Sequence, residues 1–107
     1  MPKLTMVQAI NLALKQEMER DQSVVILGED VGTDGGVFRV TDGLIDQFGE
    51  DRVMDTPLAE SGILGTAIGM AVAGLKPVGE MQFSGFSYLM FGQWEGNATR
   101  LRSRTQG

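Results

Sequence analysis

Arg52-Val53-Met54-Asp55-Thr56-Pro57-Leu58-Ala59-Glu60-Ser61-Gly62 decides the fold, because it carries the chain from a short apolar strand into a helix rich in glycine and alanine. Pro57 fixes its own φ and pushes Thr56 toward an extended conformation, so the turn between the two elements is stiff. Glu60 falls just before the helix. In open α/β sheets, ligands bind in the crevice beyond the carboxyl ends of the strands. A carboxylate held there by a rigid turn is a candidate working group, although the helix dipole alone also favours a glutamate at a helix start.

Upstream of this junction, Val24-Val25-Ile26-Leu27 is a continuous apolar run that stops at Gly28. Its length and β-branching predict a strand buried on both faces, as in a parallel sheet. Before it, Val7, Ile10, Leu14 and Met18 recur at helical spacing behind a Thr5/Gln8 capping box, which predicts a surface helix over Met6–Arg20. Glu29 to Gly36 reads as an acidic, glycine-rich loop. Thr41 is placed to cap a short helix from Asp42 to Phe48 that Gly49 ends.

Downstream, Ser61 to Ala73 is apolar almost all round, which predicts a buried helix. Gly62, Gly65 and Gly69 within it each cost about 1 kcal/mol against alanine, so close approach of another backbone is expected there. Gly74 ends the helix, Pro77–Phe83 reads as a third strand, and Phe86–Arg102 reads as a fourth helix weakened by Gly92 and Gly96. Alternating helices and strands predict an α/β layer structure with a mainly parallel sheet. Three strands make a narrow sheet, so the sequence is expected to be the beginning of a domain.

Composition narrows the chemistry. The 107 residues contain no cysteine and no histidine. This excludes thiolate nucleophiles, cysteine or histidine metal sites and Ser-His-Asp catalysis within the chain. Proton handling must rest mainly on carboxylates, or a cofactor must carry the hard step. A net charge of −5 argues against nucleic acid as a partner. The uncharged run Ser61–Leu75 is too short to span a bilayer, and a cytoplasmic protein is expected.

The loop from Glu29 to Gly36 lacks the residues of a calcium loop, a phosphate loop or a dinucleotide fingerprint. Asp30 and Asp34 read as solvated turn residues. Glu29, directly after the strand, is a candidate for facing a site. Phe83 and Phe86 flank Ser84-Gly85 after the third strand and read as core rather than a ligand platform, and Gln82 reads as structural unless its neighbourhood is a pocket. Arg100, Arg102 and Arg104 read as a basic helix end that complements the dipole.

Several motifs occur together in order and spacing: Gly28-Glu29-Asp30-Val31-Gly32, Gly35-Gly36-Val37-Phe38-Arg39, Phe48-Gly49-Glu50-Asp51-Arg52-Val53, Asp55 to Gly62, and Glu80-Met81-Gln82-Phe83. In this combination the chain resembles the amino-terminal portion of the beta subunits of thiamine diphosphate-dependent 2-oxo acid dehydrogenases, the bacterial pyruvate dehydrogenases above all. The resemblance covers essentially all 107 residues. It implies a three-layer thiamine diphosphate-binding fold of the transketolase-like, pyrimidine-binding type, incomplete in this chain, with residues 1–107 as its amino-terminal part.

The resemblance also implies a division of labour. An alpha subunit holds the diphosphate and its Mg2+, and the beta subunit holds the aminopyrimidine, within a heterotetramer that passes its acyl group to a lipoyl-bearing acyltransferase core. Glu60 resembles the glutamate that hydrogen-bonds a ring nitrogen of the aminopyrimidine and promotes loss of the proton from the reactive thiazolium carbon. Phe86 resembles the aromatic that stacks on that ring. Gln82 matches a position lining the same pocket. Glu29 resembles part of the acidic, water-containing path between the two active sites. The helix Ser61–Ala73 would supply close packing beside Glu60, across a subunit interface. Family beta subunits are about three times as long, so the isolated chain is expected to be inactive. A branched-chain 2-oxo acid or acetoin dehydrogenase subunit, and a non-catalytic remnant, stand as alternatives.

Overall fold

The computed structural model describes residues 3–106. A parallel sheet of three strands forms its middle layer, with β1 (Val24–Gly28) between β2 (Val53–Asp55) and β3 (Lys76–Gly79). Ile26 is opposite Val53 on one side and Val78 on the other. β1 is buried along its whole length, which is why its sequence is apolar without alternation.

The two faces of the sheet carry separate cores. On one face, Val24, Ile26 and Val53 pack with Val31, with Met18 of α1 (Met6–Arg20) and with Leu44 of α2 (Leu44–Phe48). On the other, Leu27 packs with Ile63 and Ala67 of α3 (Glu60–Val72). Helices on both faces give the expected three-layer α/β architecture. α1 has the expected bounds, and its capping box is formed: the Gln8 N–H donates to Thr5 Oγ1 at 3.2 Å, and the Thr5 N–H donates to Gln8 Oε1 at 3.0 Å.

Arg52 ties the layers together. Its guanidinium donates to the carbonyls of Met18, Asp21 and Val24 at 2.8, 2.9 and 2.9 Å. It also lies over the Phe48 ring, 4.9 Å from the centroid. One side chain thus closes the carbonyl end of α1 and anchors β1 and α2 to it.

Several expectations need correction. Thr41 does not cap α2. Its hydroxyl is buried and donates to the Val31 carbonyl at 2.8 Å, and the helix begins after Gly43, whose φ is +76°. β3 stops at Gly79, short of Phe83, because the Glu80 N–H makes the last bond to the Leu27 carbonyl and β1 ends one residue later. The expected fourth helix is broken: a 3-10 turn over Ser84–Phe86, α4 (Ser87–Gln93), a π turn over Trp94–Ala98 and α5 (Leu101–Arg104). Gly92 and Gly96 weaken the helix in this stretch.

α3 departs most from its sequence reading. Only Glu60, Ile63 and Ala67 are buried. No other backbone approaches its glycines: a Cβ on Gly65 would meet the Gln93 side chain at 3.7 Å, one on Gly62 would meet Ala59 Cβ at 3.5 Å, and one on Gly69 would meet nothing within 4 Å. Within the described residues, therefore, the close packing these glycines predict is absent, and Val72 stands 69% exposed.

Candidate functional site

The carboxyl end of the sheet carries a glutamate beyond each strand: Glu29 after β1, Glu60 opening α3 after β2, and Glu80 after β3. Neighbouring side chains along a strand point to opposite faces. Gly28 is opposite Asp55 in register, and Glu80 comes next to it on the other side. Asp55 and Glu80 therefore share the face of Val24 and Ile26, whereas Glu29 shares the face of Leu27 and α3.

Glu29 and Glu60 are brought together there. They are 8% and 5% exposed, the buried charged residues among the described ones. Burial pushes the Glu29 carboxyl up, and its hydrogen bond with Glu60 and the neighbouring negative charges push it further. A hydrogen bond between two carboxyl groups needs one proton shared between them, because carboxyl oxygens without hydrogen only accept. Glu60 occupies the first turn of α3, where backbone N–H groups without helical partners favour negative charge. The turn before it contains Pro57, which gives the junction the stiffness read from the sequence.

The loop that carries Glu29 is built around a second carboxylate. Asp55 accepts from the Gly32 N–H at 2.7 Å, the Thr33 N–H at 3.1 Å and the Thr33 hydroxyl at 2.6 Å. Partial burial pushes the Asp55 carboxyl up, and these donors outweigh it and hold the group below the usual aspartate range. From α1, the Asn11 amide donates to the Val40 and Asp42 carbonyls at 2.8 and 3.0 Å. Asp30 and Asp34 are exposed turn residues, as their sequence context predicts.

Gln82 and Phe86 lie beyond β3, at the same end of the sheet. Both are half-buried. Phe86 packs edge-on against Phe83 with centroids 5.4 Å apart, and Phe83 packs in the same way on Phe38 at 5.5 Å. Among the described residues, the Gln82 side chain makes no hydrogen bond within the chain. A buried carboxyl pair, a free amide and an aromatic ring thus lie beyond the carboxyl end of the sheet. They do not resemble a metal centre, and no cluster of three metal-ligating side chains occurs among the described residues. The open apolar clefts lie elsewhere: one of about 680 Å³ runs between α3 and α5 and one of about 460 Å³ lies on α4, and neither includes Glu29, Glu60, Gln82 or Phe86.

Two residues of this region carry more than their sequence reading assigns them. Asp55 holds the Glu29 loop. Glu80 is half-buried, and its Oε2 is buried without a hydrogen-bond partner among the described residues. The sequence reading placed Glu80 inside the third strand, and it follows the strand only because β3 stops at Gly79.

The sequence matches the transketolase pyrimidine-binding domain over residues 2–105. The chain belongs to that family. It is 60% identical over all 107 residues to the pyruvate dehydrogenase E1 component subunit beta of Staphylococcus epidermidis, and equally so to that of Staphylococcus aureus. The chain spans about a third of the length of these relatives: 33% of each. The family resemblance drawn from the motifs and the α/β fold class both stand. Among the described residues no helix is long and apolar enough to cross a membrane.

Proposed function

We propose that this chain is the amino-terminal part of the beta subunit of a pyruvate dehydrogenase-type decarboxylase, and that it holds the aminopyrimidine of thiamine diphosphate. The buried Glu60, seated at the carboxyl end of a parallel sheet and bonded to Glu29, is the observation that carries this reading. The reaction is oxidative decarboxylation of a 2-oxo acid with acyl transfer to a lipoyl carrier, in the cytoplasm. An alpha subunit holds the diphosphate and Mg2+ in a heterotetramer, and a lipoyl-bearing acyltransferase core receives the product.

Thiamine diphosphate, when bound, supplies the nucleophilic carbon and the electron sink for decarboxylation. Glu60 presents a carboxyl oxygen to a ring nitrogen and holds a proton between them. Glu29 fixes the orientation of Glu60 through their shared hydrogen bond. Phe86 offers an aromatic face and Gln82 a free amide at the rim. The exposed apolar side of α3 suits the subunit contact that its small residues predict.

Glu60→Gln tests the assignment, made in the full-length subunit assembled with its alpha partner. The amide keeps size and hydrogen bonding but cannot hold a proton at the ring. Turnover of pyruvate is expected to fall by about 10²–10⁴-fold, the usual worth of positioned proton transfer, with assembly unchanged. Turnover within a few-fold of the parent overturns the role of Glu60.

A further inference from the structure

A third carboxylate, Glu80, lies on the opposite face of β1 from the Glu29–Glu60 pair, directly beneath the loop that begins at Glu29. It is fixed from below. Its N–H donates to the Leu27 carbonyl at 2.9 Å, and a Cβ on Gly28 would lie 3.1 Å from the Cβ and from the carbonyl oxygen of Glu80. It is closed from above by Gly36, whose φ is +84°; a Cβ there would stand 3.3 and 3.6 Å from the two Glu80 carboxyl oxygens and 3.0 Å from Thr41 Oγ1. The loop closes that tightly only because Gly36 has no side chain. The Gly36 N–H donates to the Asp30 carbonyl at 2.8 Å and the Thr41 N–H to the Gly35 carbonyl at 3.1 Å, so the closed loop has two amide reporters.

The charged groups on the surrounding elements do not neutralise Glu80. Asp55, in the same row on β2, is taken up by Gly32 and Thr33. The Arg39 guanidinium bonds the Asp34 carbonyl, and Asp42 packs against Gly35. Glu29 faces the other side of the sheet. We propose that Glu80 is the latch of this loop: as a neutral acid it lets Gly35 and Gly36 close over it, and its ionisation releases the loop that carries Glu29. Ionisation is disfavoured where one carboxyl oxygen, Oε2, is buried without a partner, and partial burial pushes the Glu80 carboxyl above its usual range. The sign follows. Closure is fully stabilised below the ordinary glutamate value, about 4.3, and the stabilisation is lost as pH rises through the raised value of the closed state. This device does not depend on which ligand the site holds.

Hydrogen exchange in the intact protein, corrected for intrinsic chemistry, tests it. Protection of the Gly36 and Thr41 amides is expected to fall with rising pH by up to about tenfold per pH unit across that window, while α1 amides stay constant. Glu80→Gln removes the pH dependence. Glu29→Gln, which leaves Glu80 in place, retains it and decides the matter if Glu80→Gln does not fold. Flat protection in the parent protein, an undiminished slope in Glu80→Gln, or loss of the slope in Glu29→Gln overturns the proposal.

Discussion

Replacing Arg52 by methionine removes the donors that close the end of α1 while keeping most of the stem that covers Phe48. Three carbonyls, those of Met18, Asp21 and Val24, lose their guanidinium partner. A hydrogen bond to a charged group is worth about 1.5–3 kcal/mol when fully buried. Arg52 is half-buried, so water replaces part of each bond, and about 1 kcal/mol apiece is the appropriate scale. The corner between α1 and β1 is therefore expected to open about 3 kcal/mol more easily, a factor of about 10² in its opening equilibrium. Native-state hydrogen exchange of the Asp21 and Ile26 amides reads this directly. They donate to the Glu17 and Arg52 carbonyls and so report the two sides of the corner. Arg52→Lys keeps the charge but not the planar fork, and is expected to recover less than half of the lost protection. A change below about threefold in Arg52→Met, or full rescue by lysine, would refute the view that the fork organises the corner.

Asp55→Asn weakens three converging hydrogen bonds and is expected to lower protection of the Gly32 and Thr33 amides by about tenfold, equivalent to about 1.4 kcal/mol. Because the Asp55 carboxyl is held below its usual range, its contribution is present above the ordinary aspartate value, about 3.9. It is lost as pH falls through the depressed value, so an acid titration of the same amides weakens the parent and leaves the variant little changed. Gly28→Ala introduces a Cβ 2.9 Å from Val31 Cγ1 and 3.1 Å from the Glu80 carbonyl oxygen. The expected cost is about 1–3 kcal/mol, read as a lowered Tm, and an unchanged Tm would show that the strand end gives way.

The elements fixed by periodicity and punctuation were the legible ones. α1 has its expected bounds because the capping box and the apolar spacing agree. β1 was readable because burial on both faces leaves no alternation to misread. Gly49 and Gly74 end their helices at φ of +87° and +102°. Tertiary partners decided the rest. Thr41 has the chemistry of a cap, but the Val31 carbonyl takes its hydroxyl. The sequence from Pro77 to Phe83 could extend, but β1 gives it nothing to pair with beyond Glu80. For the site, the turn chemistry around Pro57 located Glu60, and its place after a strand marked Glu29. Their pairing depends on β1 and α3 meeting on one face, which linear spacing does not encode. The roles of Arg52 and Asp55 were equally hidden, since each acts on backbone groups far away in sequence.

The order β2-β1-β3 has a consequence during synthesis. The strand made first takes the central place, and its two neighbours come later: Ile26 meets Val53 on one side and Val78 on the other. At about 5–20 residues per second, the run Val24-Val25-Ile26-Leu27 leaves the ribosome several seconds before its second partner exists. Until then it is an apolar segment of high β-propensity with both edges bare, the kind that joins other chains. The ionic flank of Glu17, Glu19, Arg20 and Asp21 precedes it, and Glu29 and Asp30 follow it. The carboxylates after the strand are therefore placed to act as gatekeepers for the nascent chain before the sheet closes around Glu29.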